Sequence, residues 1–427
     1  MKTTIQPVKG TRDFYPEKMA VRTWLYAKAR QVSELYGYQE WEGPFLERID
    51  LYAAKSGEEL VKEQAFVFTD RGGDFITLRP ELTPTLARMV AQRQRDLIYP
   101  LRWWSFGPFW RYERPQKGRT REFFQWNIDL IGVDTPEADA ELIAVAASFL
   151  ESVGLTPDQV HILVNNRRLV DAFLGELGIP EDMRRKVFQL IDRQDKLAAD
   201  EWADYAREIG LTDAQLMEMK RILSNQDGWK LSEELLRVFA VLDAMNLSGY
   251  VRYDPKIVRG LDYYTGTVFE ARSVGQEGRA VLGGGRYDNL VADVGGEPLS
   301  GVGFAMGDVM IGVVLESEGL LPANLLVPAP VLVTVFDETQ IADSFSLAAE
   351  LRRQGMKVIC YPEAAKLPKQ LKYADRVGCR FVVIVGPDEK ANGQITVKDL
   401  FERSQITLNL AEAGDHIRRK LASVAAV

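Results

Sequence analysis

The sequence predicts an α+β domain broken by a helical insertion and followed by a smaller α/β domain. Three observations lead there. Residues 65–134 are rich in aromatic and β-branched side chains arranged around a basic hairpin. From about 166 to 246 strand signals vanish, and Leu, Ala, Glu, Lys, Arg and Asp recur at helical spacing. Beyond a stretch punctuated by Gly319, Pro322, Pro328 and Pro330, short apolar runs alternate with helices. A chain of 427 residues is too long for one core, so we expect a domain over 1–320 that contains the insertion and a second over 330–427.

Each element has a local reason. Val21, Leu25, Ala29, Val32 and Tyr36 repeat every three to four residues and predict a helix over 17–36, after which Gly43-Pro44 interrupts extended chain. Trp103, Trp104, Phe106, Phe109 and Trp110 form one strand, and Phe123, Phe124, Trp126, Ile128 and Leu130 the next. Pro115-Gln116-Lys117-Gly118 supplies the loop between them. Pro136-Glu137 opens a helix over 138–150, and strand-like sequence resumes at 251–259 and 268–271. In the last hundred residues we expect strands at 331–335, 358–361 and 381–385, and helices at 341–354 and 368–378.

Composition narrows the function. The chain is 46% hydrophobic and 27% charged, as in soluble globular proteins, and no apolar run approaches the roughly twenty residues of a membrane span. Met-Lys-Thr-Thr-Ile-Gln-Pro lacks the apolar core of a secretory signal, so a cytoplasmic protein is expected. Cys360 and Cys379 lack metal-ligand spacing, and the only histidines are His161, in an apolar run, and His416, in a charged helix. A Ser-His-Asp triad or a histidine-ligated metal is hard to build from these, and no metal site is expected. The chemistry must run on Arg, Glu, Asp, Gln and Tyr. The net charge of −8 does not exclude nucleic acid, because binding depends on local patches. From Arg352 to Arg380 eight basic residues face only Glu363 and Asp375, a balance of +6. Lys369, Lys372 and Arg376 fall on one helical face, which is either solvated or an RNA contact.

Two segments carry most of the chemistry. Arg259-Gly260-Leu261-Asp262-Tyr263-Tyr264-Thr265-Gly266 combines a permanent planar cation, close backbone approach and two phenols. The hairpin Phe109 to Gln125 carries Arg111, Arg114, Lys117, Arg119 and Arg121 against Glu113 and Glu122, an arrangement suited to phosphates.

Together these segments resemble the class II histidyl-tRNA synthetases. Trp110 to Arg119 resembles the second signature motif of that class, and Arg259 to Thr265 the motif of the histidine enzymes. Leu78-Arg79-Pro80-Glu81-Leu82-Thr83 and Gly283-Gly284-Gly285-Arg286-Tyr287-Asp288 resemble the segments that bind the amino acid, and the likeness runs nearly end to end. The resemblance implies a catalytic domain built on an antiparallel sheet flanked by helices, and a C-terminal domain that binds the anticodon. It implies ATP with Mg²⁺, L-histidine and tRNA(His) as ligands, a homodimer, and formation of histidyl-adenylate followed by transfer to tRNA.

Residue by residue, Arg111 matches the group that bridges the α-phosphate and the substrate carboxylate, and Arg259 the group that stabilises charge at that phosphate. Glu81, Thr83 and Gln125 match positions that hold the α-amino group, with Leu82 in the wall. Asp129, Tyr263, Tyr264 and Tyr287 match positions around the imidazole. Glu113 and Arg119 match the outer phosphates or the tRNA end, and Gln116 and Lys117 the tRNA end by position alone. There are three departures. Asp129 stands where many bacterial members carry Glu, and Leu82 where Gly is usual. Val309 and Met310 replace the Glu-Arg that normally ends the third motif, so either a neighbour substitutes or ATP use is impaired. Two other readings compete: a histidine-sensing regulatory paralogue without catalysis, and an RNA- or partner-binding protein on a dead synthetase fold. Retention of both the Arg-Gly-Leu-Asp-Tyr-Tyr motif and the C-terminal domain favours the enzyme.

Overall fold

The computed structural model describes residues 4–53, 63–116, 118–194, 197–258, 263–275, 280–322, 325 and 329–425. They fall into two compact units, Met1–Pro322 and Ala323–Val427.

The first unit is organised by an eight-stranded sheet. Its strands are β1 (Gln39–Glu40), β5 (Leu101–Trp110), β6 (Glu122–Ile131), β7 (Val160–Asn166), β8 (Val251–Tyr253), β9 (Thr267–Ser273), β10 (Ala280–Tyr287) and β11 (Gly301–Gly307). Across the sheet they run β1-β5-β6-β11-β10-β9-β7-β8. The six central strands pair antiparallel, while β1 and β8 add parallel edges. Alternation along each strand sends one set of side chains to each face. Trp126, Ile128, Leu130, Phe304 and Met306 go to the core, where the helices Pro16–Leu35 and Pro136–Ser152 cover them. A small sheet of β2 (Leu46–Arg48), β4 (Phe75–Leu78) and β3 (Phe66–Thr69) stands beside it.

Sequence reading missed one helix inside the strand-rich run, Thr83–Arg93. Its signal is present. Pro84 occupies the first turn, where a missing N–H costs little, and Leu86, Ala87 and Val90 make its buried face. The helices of the expected insertion are Arg167–Glu176, Glu181–Asp192, Ala199–Glu208, Asp213–Ser224 and Glu233–Ala244. Most of them share a core of their own, centred on Val187, Leu190, Trp202, Ala206 and Met219.

The second unit holds a five-stranded sheet, β13-β12-β14-β15-β16, from β12 (Val331–Val333), β13 (Val358–Cys360), β14 (Phe381–Ile384), β15 (Gln394–Asp399) and β16 (Ser404–Asn409). The first three strands are parallel and the last two close it as an antiparallel hairpin. Sequence reading had not resolved that hairpin. Cys360 and Cys379 are buried free thiols.

Candidate active site

The site is built on one face of β6. Gln125, Asn127 and Asp129 occupy alternate positions, so all three project to the side away from the helices. What lies in front of them is decided by β11, where Gly307, Ala305 and Gly303 pair directly with those three residues. On β10, Gly283 and Gly285 continue the rows. The requirement for glycine is strict at 303, where a Cβ would overlap the Asp129 carboxylate. Small residues along two strands thus clear a cavity of about 200 Å³ over the polar face of a third.

Other elements close this cavity. The segment Arg79-Pro80-Glu81 leaves β4 and is pinned across the end of β5: Arg79 Nε donates to the Pro108 carbonyl at 3.0 Å and Arg111 Nε to the Pro80 carbonyl at 2.9 Å. Arg79 is fully buried, ion-paired with Glu42 and packed 4.6 Å over the rings of Phe45 and Phe109. It therefore acts as a brace that positions Glu81, Leu82 and Thr83 in the cavity wall. Tyr263, Tyr264 and Tyr287 form an edge-to-face cluster on another wall. The Tyr287 hydroxyl donates to Asp129 Oδ1 at 2.7 Å and that of Tyr263 to Glu81 Oε2 at 3.4 Å.

Burial governs the electrostatics. Asp129 is pushed up to about 7, because loss of water outweighs the one stabilising hydrogen bond from Tyr287. The phenols of Tyr263 and Tyr287 are held well above their ordinary value, first by burial and then by the nearby carboxylates Glu81 and Asp129 respectively. They remain neutral donors at any physiological pH.

A second cavity of about 240 Å³ adjoins the first and shares Arg111, Gln125, Gly283 and Ala305 with it. Its lining includes Glu113 and Arg119, joined by an ion pair of 3.2 Å, with Phe123, Val309 and Met310 as apolar surface. The Arg111 guanidinium lies 5.4 Å over the Phe123 ring. Asp308, just before the two departing residues, accepts from the Phe124 backbone N–H at 2.9 Å and pairs with Arg12 at 2.9 Å. It ties the start of a helix to β6.

Of the residues expected around a small ligand, Glu81, Leu82, Thr83, Arg111, Gln125, Asp129, Tyr263, Tyr264 and Tyr287 all line the first cavity. Arg259 and Lys117 lie outside the described residues. Gln116 forms a bridge with Arg119 at the hairpin tip. Arg286 turns away, buried among Asp139, Ser300 and the carbonyls of Val133 and Thr135. Sequence reasoning passed over Asn127 and Gly303, although two-residue periodicity from Gln125 and Asp129 points to Asn127.

In the second unit, Lys369, Lys372 and Arg376 lie exposed on the helix Leu367–Arg376, while Gln370 and Ala374 face inward. The charge count over 352–380 overstated the patch. Arg380 pairs with Asp399 and Glu402, Arg353 with Glu350, and Lys369 with Glu363; the Asp399, Glu402 and Glu350 partners lie outside the window counted.

Comparison with known proteins settles the family. A family model described as histidyl-tRNA synthetase matches residues 10–308. The chain belongs to the histidyl-tRNA synthetase family. A second model, an anticodon binding domain, matches residues 330–420. Among similar proteins are the histidine–tRNA ligase of Leptospira biflexa, 36% identical over 98% of this chain and 99% of that protein, and that of Opitutus terrae, 38% identical over 94% and 95%. The crystal structure of histidyl-tRNA synthetase from Nostoc sp. PCC 7120 superposes with a TM-score of 0.81 at 26% identity, covering 98% of this chain and all of the other. A structure titled as an ATP phosphoribosyltransferase regulatory subunit/histidyl-tRNA synthetase from Bacillus halodurans has the same fold, with a TM-score of 0.74 at 23% identity over 88% of this chain. Within the family's catalytic fold, the two adjoining cavities are the candidate amino-acid and nucleotide sites.

Proposed function

We propose that this chain activates L-histidine with ATP and then transfers the histidyl group to the 3′ end of tRNA(His). The observation that carries the reading is the junction of the two cavities. A deep site with a buried acid, neutral phenols and Glu81 opens onto a site with cations and an apolar slot, and Arg111 borders both. Such a junction suits a substrate carboxylate brought beside an α-phosphate.

Glu81, Thr83 and Gln125 hold the α-ammonium, Asp129 and the tyrosines hold the imidazole, and Arg111 orients the substrate carboxylate. A carboxylate oxygen attacks the α-phosphorus, the bond to the β-phosphate oxygen breaks, and pyrophosphate departs. No general base is required, because the nucleophile is already ionised; positioning and fixed charge lower the barrier. Arg259, assigned from its sequence motif, opposes the charge developing on the phosphate. Arg119 and Glu113 take the outer phosphates or the tRNA end. Phe123, Val309 and Met310 offer the adenine apolar surface where the missing arginine would stand. Mg²⁺ accompanies the nucleotide. Glu113 is the one carboxylate among the described residues of this cavity, which suits an ion held mainly by phosphate oxygens and water.

We assign residues 1–320 to catalysis and 330–427 to the anticodon, with Lys369, Lys372 and Arg376 on the tRNA side. Leu46 and Phe68, exposed on one face of the small sheet, offer apolar surface for a second copy in a homodimer. Among the described residues no helix is long and apolar enough to cross a membrane, and we place the protein in the cytoplasm.

Histidine-dependent exchange of pyrophosphate into ATP tests the proposal. We expect robust exchange from the purified protein. Histidine binding without exchange would favour the regulatory reading. Arg259→Ala should abolish exchange while histidine binding, measured by calorimetry, largely persists.

A further inference from the structure

We propose that Asp288 is a positioning residue through which the helical insertion braces the tyrosine walls of the first cavity. The kinetic part of its test rests on the proposed activation of histidine; the brace itself does not.

Asp288 follows Tyr287 at the end of β10, where the chain leaves the cavity wall. Both of its carboxylate oxygens are engaged. Oδ2 accepts from the Thr265 hydroxyl at 2.6 Å and from the Arg168 guanidinium at 2.9 Å. Oδ1 accepts from the Ser300 hydroxyl at 2.6 Å. Thr265 directly follows Tyr263 and Tyr264, and its backbone N–H donates to the Arg286 carbonyl at 2.8 Å. One carboxylate thus joins the end of β10, which carries Tyr287, to the segment that carries the other two phenols. Hydrogen bonds to an ionised acceptor are among the strongest a protein makes, so the joint is stiff.

Arg168 brings in the insertion. It lies in the first turn of the helix Arg167–Glu176, where the Asn166 side chain accepts from the backbone N–H groups of Arg168 and Leu169. The other arm of its guanidinium reaches Glu234 at 2.5 Å, in the first turn of Glu233–Ala244. A planar fork can bridge two carboxylates in this way, and a lysine ammonium suits it less well. The first and last helices of the insertion are therefore joined where they meet the site. The Arg167 backbone N–H also donates to the Gly266 carbonyl at 2.9 Å, so the start of the helix abuts the same segment. Along that helix Val170 and Leu174 enter the core of the insertion, whereas Leu169 enters the core of the large sheet. A shift of the insertion core moves Arg168, and through Asp288 it moves the phenols. The insertion is part of the site's framework and not an appendage.

Pyrophosphate exchange without tRNA, together with amide hydrogen exchange over residues 263–268, tests the brace. Asp288→Asn and Thr265→Val should each raise the KM for histidine about tenfold and change the KM for ATP less than about twofold, because each loses a charge-assisted bond behind one cavity only. Thr265→Ser keeps the hydroxyl and should stay within about twofold of the unmodified protein. The Arg168 side chain is 46% exposed, so Arg168→Gln should raise the histidine KM only about threefold. Combined with Thr265→Val it should fall well short of the product of the two single effects, since both act through one carboxylate. The amides of 263–268 should exchange about tenfold faster in Thr265→Val and in Asp288→Asn. Arg237→Gln removes a comparable ion pair, 2.8 Å long, between the insertion and Glu137 of the helix Pro136–Ser152, and should change neither readout. A lower melting temperature in Asp288→Asn with KM and amide exchange unchanged would overturn the proposal, as would equal defects in Thr265→Ser and Thr265→Val or an equal effect of Arg237→Gln. Faster amide exchange in a protein that never exchanges pyrophosphate would support the brace and remove the histidine reading instead.

Discussion

Asp129 titrates near 7 because burial strips its carboxylate of water and one phenol cannot compensate. Its folded value lies above the ordinary one of about 3.9, so between about pH 4 and 7 the folded site holds a proton that the unfolded chain has lost. That contribution favours the empty fold in acid and is lost as pH rises toward 7. On the proposed assignment histidine binding runs the other way, because a carboxylate accepts the ring N–H more strongly than a protonated carboxyl does. Below pH 6 binding must release the proton on Asp129 and that on free imidazole, whose own value is about 6.5. The logarithm of KM for histidine should therefore rise by about two per unit fall in pH, and by about one in Asp129→Asn. Exchange kinetics between pH 5 and 8 check this, and identical slopes would remove Asp129 from contact with the ring.

At the scale of elements, β11 matters as much as the polar residues it faces. Gly-Val-Gly-Phe-Ala-Met-Gly alternates small residues toward the cavity with Val302, Phe304 and Met306 toward the core. Gly303→Ala should push the Asp129 carboxylate aside. We expect histidine KM to rise about tenfold or more with ATP KM unchanged, and a stability loss of about 1–3 kcal/mol by denaturant titration. This alternation was readable in the sequence, as was the basic hairpin between two aromatic strands. The helix Thr83–Arg93 was harder to read, because it interrupts a strand-rich context and only Pro84 marks its start. The hairpin of β15 and β16 escaped for a similar reason: β16 is largely exposed and carries little hydrophobic pattern.

For the whole molecule, charge and surface set the partners. An acidic chain binds tRNA only through local basic faces, and on Leu367–Arg376 one of the three cations, Lys369, is paired with Glu363. Lys369→Glu with Lys372→Glu should weaken tRNA binding and flatten its salt dependence while exchange stays intact. Filter binding across salt concentrations measures both, and unchanged affinity would leave that helix a solvated face. On the proposed homodimer face, Leu46→Glu with Phe68→Glu should shift the protein to a monomer in sedimentation, with normal helix content.

Composition and local motif identified the chemistry: arginines for phosphate, carboxylates and phenols for an amino acid, and no usable histidine base. Period-two alternation also carries the signal, unused in the sequence reading, that Asn127 shares a face of β6 with Gln125 and Asp129, since that follows from backbone geometry alone. Only the tertiary structure decided that Glu81, Asp129, Tyr263 and Tyr287, far apart in the chain, border one cavity. It alone decided that Arg286 is a buried brace and that Asp288 meets both Thr265 and Arg168. Those outcomes depend on the register between distant strands, and no local pattern encodes the register.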